Sequence, residues 1–300
     1  MQNEGGSAGR ATFLIVVASL SFGSISVLTL LITRAGVPLL TAMAWRYVLG
    51  AVLLSAVSQP WRMTEYPSRQ IAQLLLIGGC GQALITYLSL HALEYIPVGP
   101  LAFLFYTYPA WVTLISAVRG SEKLTTLRVV ALSLALAGVV VMVGAPAAEK
   151  LNPVGVALAL GSALLYSAYL PALNSLQRGL PAMLSTFLLV VGAGITFVLS
   201  ALLTGTLYLP GALAPWVNIF LLALVSTVIA FSALIKGLAV LGPVRTAIIS
   251  TVEPFFTAIL GALVIGNPLT VATLFGGVLI AAAVLLLQWS SRTREAIALP

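Results

Sequence analysis

Glu253 and Pro254 stand inside the otherwise nearly apolar stretch IISTVEPFFTAILGALVIG, residues 248–266. A carboxylate in such surroundings can carry a proton or hold a substrate amine. It can also pair with Arg46 or with backbone donors as a brace, or sit protonated in a packed interface. Pro254 removes a backbone donor and obstructs the preceding turn, leaving a carbonyl near residue 250 to be satisfied by Ser250, by Thr251 or by a ligand. Arg46, in GVPLLTAMAWRYVLGAVLL, is the second charge held in an apolar run. It suits a structural ion pair, or else a substrate carboxylate. His91 and Lys236 lie near the ends of apolar runs and complete the gating or charge-pair candidates. There a lysine is expected to snorkel. A histidine can be a pH-sensitive gate or a satisfied interfacial group.

Uncharged candidates are Gln82, Tyr87, Tyr106, Tyr108, Trp111, Tyr166, Tyr169 and Asn174. Together they suit a pocket for a partly apolar metabolite, though each tyrosine could equally pack with its hydroxyl satisfied or anchor at an interface. Gln82 offers a donor and an acceptor within GGCGQALITY, whose small residues let helices approach closely. In YSAYLPALN, Tyr166 and Tyr169 share a helix face, and Pro171 offers a bend.

The elements that must position these groups are transmembrane helices. Hydrophobic residues make up 60% of the 300 positions and charged residues 7%, against roughly 25% in soluble domains. Apolar runs of about 20 residues recur, each able to cross a ~30 Å hydrocarbon core. Proline, glycine and charge punctuate ten expected spans near 11–33, 38–58, 70–92, 97–118, 126–145, 153–176, 181–204, 215–238, 243–265 and 270–289. The expected fold is an all-α integral membrane protein. Glu253 then lies ~15 Å deep and Arg46 ~12 Å from the other face, so both sit near the midplane.

With the N-terminus inside, Arg10, Arg62, Arg69, Arg119, Lys123, Arg128, Arg178, Arg245, Arg292 and Arg294 fall on the inner side. Only Arg34 and Lys150 fall outside. The positive-inside rule therefore predicts cytoplasmic termini. It also accounts for the net charge of +7, whose scattered residues form no nucleic-acid patch. The polar start MQNEGGSAGR reads as a short tail before a retained first helix rather than a cleaved signal peptide. Cys80 is the single cysteine, so no internal disulfide forms. With no aspartate, one histidine and one cysteine, zinc-protease, aspartyl metal-phosphate and Cys–His chemistries are excluded. No nucleotide motif, G-x-S-x-G, metal or cofactor site is expected, and no acidic ring or filter favours a channel.

The chain also repeats itself. At an offset of 145 residues, ALEYIPVGPLAFLFYTYPAWVTLISAVRGSEKLT aligns without a gap to GLAVLGPVRTAIISTVEPFFTAILGALVIGNPLT. Ala102 meets Ala247, and Pro109 meets Pro254. At an offset of 143, AGVPLL faces RGLPAM. Five spans per copy would invert the second copy, giving two inverted five-helix repeats over 11–145 and 153–289.

On GVPLLTAMAWRYVLGAVLL, TYPAWVTLISAVRGSEKLT and VEPFFTAILGALVIGNPLT, the chain resembles the EamA-type branch of the drug/metabolite transporter superfamily over residues 11–289. It departs from that pattern where Asn267 stands in the place corresponding to Glu122, and where Tyr108–Pro109 precedes the Glu253–Pro254 of the second copy. The resemblance implies a carrier of small polar metabolites in a bacterial inner membrane, most similar to exporters of amino acids of the aromatic type. Such a carrier would work by alternating access around a midplane cavity, without ATP. A lipid flippase of the same superfamily is the alternative. The nearly featureless fifth and tenth spans suit a scaffold or a homodimer surface.

Overall fold

The structure is a computed structural model describing residues 4–92, 94–96, 98–120, 125–143, 151–266 and 270–297. The positions of Glu122, Lys123, Lys150 and Asn267, and the side chains of Arg292 and Arg294, lie outside the described residues. All regular structure among the described residues is helical. In chain order the helices are α1 (Glu4–Arg34), α2 (Leu39–Ser58), α3 (Ser68–Leu76), α4 (Ala83–Ala92), α5 (Val98–Phe105), α6 (Tyr108–Val118) and α7 (Thr126–Val143). They continue with α8 (Pro153–Leu176), α9 (Ala182–Leu203), α10 (Leu213–Ala223), α11 (Ala230–Ser250), α12 (Glu253–Leu260) and α13 (Val271–Ile297). Helices suit this chain because a backbone surrounded by apolar groups must satisfy its own polar atoms.

Six stretches are long and apolar enough to cross a membrane: 8–34, 39–58, 68–89, 153–176, 182–203 and 213–250. Shorter apolar helices cover 108–118, 126–141, 253–265 and 271–286. The difference from ten continuous spans has two local causes. The expected fourth and ninth spans are each interrupted by a tightened turn, at Tyr106–Thr107 and at Thr251–Val252, where Thr107 bonds back to Leu104 and Thr251 to Ile248 instead of four residues back. The stretch 213–250, in turn, runs together two expected spans whose junction is Gly242, at φ 74° and ψ 170°. The following Pro243 cannot donate to the turn before it, so the chain redirects there.

The sequence offset reappears as local geometry. Gly36 and Gly179, at φ 83° and φ 80°, each lead by two residues into a proline that starts a helix, Pro38 before α2 and Pro181 before α9. A six-residue π-helix, Ile77–Gln82, joins α3 to α4, and another, Leu224–Ile229, joins α10 to α11. The two turns at 106–107 and 251–252 correspond as well. Packing follows the same pairing, with α2 on α9 and α7 on α13. α1 lies against α11 and α12, while α8 lies against α4, α5 and α6.

Leu203, Leu213, Leu263, Val271 and Val278 are exposed, a rim of aliphatic side chains suited to lipid. Inside it, glycines let helices approach backbone to backbone. A Cβ on Gly78 would overlap the backbone of Leu189, and one on Gly192 would overlap the Leu75 carbonyl, so the first π-helix and α9 pack without side chains between them. Gly211, by contrast, has no atom within 4 Å of an added Cβ. We expect Gly78→Ala and Gly192→Ala each to cost about 1–3 kcal/mol through forced separation of the helices. In detergent thermal unfolding this would appear as lowered midpoints, with Gly211→Ala unchanged.

Candidate functional site

A cavity of about 320 Å³ lies beside the two chain breaks and is lined by Gln82 of the first π-helix and by Arg46, which bonds to the second. α12 opens with Glu253 because Pro254, at the first turn, needs no helical N–H partner and so allows the preceding break. Gly23 of α1 brings α12 close: a Cβ there would stand 3.2 Å from the Glu253 carbonyl oxygen. Thr257 donates to that same carbonyl at 3.1 Å and contacts the Gly23 carbonyl at 3.2 Å. The glutamate side chain is thereby aimed into the cavity, which Tyr106 also lines.

Across from it lies Arg46, only 4% exposed. Its Nε donates to Thr227 Oγ1 at 2.7 Å, and one terminal nitrogen donates to the Ser226 carbonyl at 2.8 Å. The guanidinium carbon lies 5.0 Å from the Tyr47 ring centre, a cation–π contact. Both acceptors belong to the second π-helix, where the widened ladder leaves carbonyls available. Ser24 of α1 is 2.7 Å from Ser226 Oγ, so α1, α2 and this π-helix meet at one polar node. The expected Arg46–Glu253 ion pair is therefore corrected: among the described residues no salt bridge joins them. Arg46 is spent on uncharged acceptors, and the two opposite charges face the cavity unneutralised by each other.

Aromatic rings form another wall. Tyr108 and Tyr166 meet edge to face at 4.8 Å, Tyr166 stacks with Tyr169 at 5.8 Å, and Phe105 lies 5.4 Å from Tyr108. The hydroxyl of Tyr169 and that of Thr29 are buried without a hydrogen-bond partner, although both residues line the cavity. Gln82, in the first π-helix, also lines it and reaches toward Tyr47.

Of the sequence candidates, the cavity brings together Arg46, Gln82, Tyr106, Tyr108, Tyr166, Tyr169 and Glu253. The others lie elsewhere. Tyr87 is exposed and stacks on His91 at 5.5 Å, because the face of α4 turned to the cavity carries Ile85, Thr86 and Ser89. His91 pairs with Glu94 at 3.3 Å. Lys236 is exposed on α11, away from Phe231 and Leu234, which do line the cavity. Trp111 and Ser250 fall outside it, with Ser250 within reach of the Tyr108 hydroxyl. Unanticipated lining residues are Ser26, Thr29, Thr86 and Ser89; Ser226 and Thr227 were also missed as partners of Arg46. Their signal was available as hydroxyls within otherwise apolar spans, a weak one because such hydroxyls commonly bond their own helix.

The site is thus a cavity with two buried polar poles, inside helices rimmed by aliphatic side chains. The EamA-like transporter family matches the chain twice, over residues 9–144 and 153–289. The chain belongs to this family. The EamA-like chain is 27% identical over 219 residues to an uncharacterized transporter of the cyanobacterium Synechocystis. That match covers 70% of this chain and 65% of the relative's length. A solved crystal structure of another protein superposes with a TM-score of 0.77 at 20% identity, covering 95% of this chain and 98% of the other, and so shares the fold. The chain is accordingly a multi-helix membrane protein of a transporter family.

For this EamA-like transporter, Arg46→Lys removes the planar fork that reaches Thr227 and Ser226 together. We expect a loss of about 1.5–3 kcal/mol in thermal unfolding, with transport reduced. Lys236→Ala, at an exposed position, should stay within about 0.5 kcal/mol of the parent.

Proposed function

We propose that the protein is a secondary transporter that exports small metabolites, amino acids foremost, across the bacterial inner membrane. It works by alternating access around the cavity just described, between inverted five-helix repeats at residues 11–145 and 153–289. The observation that carries this reading is the pair of separated ionisable groups of opposite type lining one cavity, Arg46 and Glu253. A charge at mid-membrane depth costs at least ~2.5–3.5 kcal/mol and persists where a solute or a partner compensates it. A zwitterion compensates both, its carboxylate toward Arg46 and its ammonium toward Glu253. The tyrosine wall beside them suits an apolar or aromatic side chain, and a volume of about 320 Å³ matches a single small solute. Thr29 and Tyr169 line the cavity and carry buried hydroxyls that have no hydrogen-bond partner within the protein.

The repeat reading is supported by the paired prolines, π-helices and chain breaks, each pair separated by nearly the same number of residues. Broken helices meeting at the solute site are the usual hinge elements of such carriers. The asymmetry of basic residues supports cytoplasmic termini. A homodimer would use the lipid-facing sides of α7 and α13, which carry Val129, Val130, Phe275 and Val278.

The test is flux of labelled neutral and aromatic amino acids in proteoliposomes. We expect saturable exchange that an unlabelled zwitterion inhibits and that the corresponding amine or carboxylic acid alone inhibits at least about tenfold less well, since each engages one pole. Folded, inserted protein that moves none of these amino acids would sink the amino-acid reading and bring the lipid-flippase reading forward.

A further inference from the structure

Two clasps tie the halves of the chain together, at opposite ends of the α2–α9 pair. At one, Gln70 of α3 donates from Nε2 to the Leu176 carbonyl at 2.6 Å and to the Arg178 carbonyl at 2.9 Å. At the other, Tyr208 donates from its hydroxyl to the Gly36 carbonyl at 3.2 Å, and Trp45 Nε1 donates to the Tyr208 carbonyl at 3.0 Å. Each clasp joins the chain that follows one member of the pair to the turn that precedes the other. Their charges differ. The Gln70 clasp sets Arg69 and Arg178, both exposed and one from each half, on one small surface. At the offset of 143 residues that relates Gly36 to Gly179, Arg69 corresponds to Ala212 and Arg178 to Ala35. The clasp is built twice, and one copy carries arginine at both positions.

We propose that the Gln70 clasp binds the headgroup of an anionic phospholipid, its phosphate held between Arg69 and Arg178 and its glycerol end against Trp61. A guanidinium presents a planar fork of N–H donors, which suits the oxygens of a phosphate, and two of them exceed what one phosphodiester needs for neutrality. The second, negative component of an anionic lipid surface takes up that excess. The site also stands at the right level. Gln70 and Arg69 open the crossing stretch 68–89, and Arg178 lies between the crossing stretches 153–176 and 182–203. The positive-inside distribution puts this end of the molecule at the cytoplasmic surface, where basic pockets between membrane helices take anionic headgroups. A headgroup bound there touches both halves at once and so stabilises the folded chain.

The surroundings leave both arginines available. Glu65, at the end of the short 3-10 helix Pro60–Glu65, is engaged by Arg62 at 2.9 Å. Among the described residues neither Arg69 nor Arg178 forms a salt bridge. The 3-10 helix lies against α3 and α9 and presents Trp61, which is 70% exposed. It connects the crossing stretches 39–58 and 68–89, so this indole stands at the membrane surface. There its ring meets the first acyl carbons and its N–H the polar layer. A free phosphate would offer Arg69 and Arg178 the same oxygens, but it gives Trp61 nothing to cover it. The exposed indole beside the arginine pair is what favours the lipid. Neither arginine lines the solute cavity, so the site is independent of the solute.

The test offers phosphatidylglycerol and phosphatidylcholine at equal concentration to the full chain in detergent, and native mass spectrometry counts the lipid retained. We expect phosphatidylglycerol to be kept in preference. In Arg69→Gln/Arg178→Gln that preference should fall about tenfold or more, since each basic group near an anionic surface is worth about fivefold. Arg34→Gln, beside the other clasp, should keep the preference of the parent. Phosphatidylglycerol should also raise the thermal unfolding midpoint of the parent and of Arg34→Gln, but not of the double variant. No preference for the anionic lipid in the parent, or an equal preference in parent and double variant, would overturn the proposal. Millimolar inorganic phosphate that protects the parent as well as phosphatidylglycerol does would overturn the lipid assignment and leave a soluble-anion site. Should the double variant not insert, a phosphatidylglycerol with a photoreactive headgroup is crosslinked to the unaltered protein instead. Attachment close to Trp61, Arg69 and Arg178 is expected, and attachment confined to other segments sinks the idea.

Discussion

A guanidinium among apolar helices must find acceptors, and most helical carbonyls are already engaged by their own ladder. Arg46 resolves this with the π-helix at Leu224–Ile229, whose Ser226 carbonyl and Thr227 hydroxyl take two of its donors. Much of the site depends on that contact. It fixes α2 against the junction of α10 and α11, and through the Ser24–Ser226 bond it draws in α1. It also keeps a positive charge at the cavity wall without a carboxylate partner, which leaves Glu253 unneutralised on the other side. Had the two groups paired, the cavity would present a single neutralised contact instead of two separate polar poles.

The same short stretch of α2 addresses both π-helices. Arg46 reaches the one joining α10 to α11, and its neighbour Tyr47 reaches toward Gln82 in the one joining α3 to α4. Tyr47 also stacks on Phe197 of α9 at 5.3 Å. Two consecutive residues lie about 100° apart on a helix, so they can face two different neighbours at one level. These two π-helices gain a structural purpose from this: each widens a helix at the depth where α2 needs polar company. Glycine packing at Gly78 and Gly192 keeps the first of them seated on α9.

Helicity and membrane character were legible from apolar runs with few charges, and the cavity's main residues were legible as polar or aromatic groups deep within such runs. Other features were not. Nothing in LVSTVI distinguishes a π-helix from an α-helix, because the choice is made by what packs against it. The partner of Arg46 was misread for that reason. Tyr87 and Trp111 were misplaced because composition and depth say nothing of rotation about the helix axis, and one position along α4 separates Thr86 at the cavity from Tyr87 outside. The breaks at 106–107 and 251–252 were half visible, as prolines two or three residues beyond each turn.

The departure from symmetry between the halves falls at the cavity itself. Tyr108 and Glu253 stand at corresponding positions, each opening a helix, α6 and α12, and each followed by a proline. Both line the same cavity. The near-repeat thus delivers two side chains to one place, and the difference between the copies makes them chemically unlike: a phenol hydroxyl that both donates and accepts, and a carboxyl group that can carry charge. A cavity lined by two identical groups would have no such polarity, so the near-symmetry supplies the place and the single departure from it supplies the chemistry.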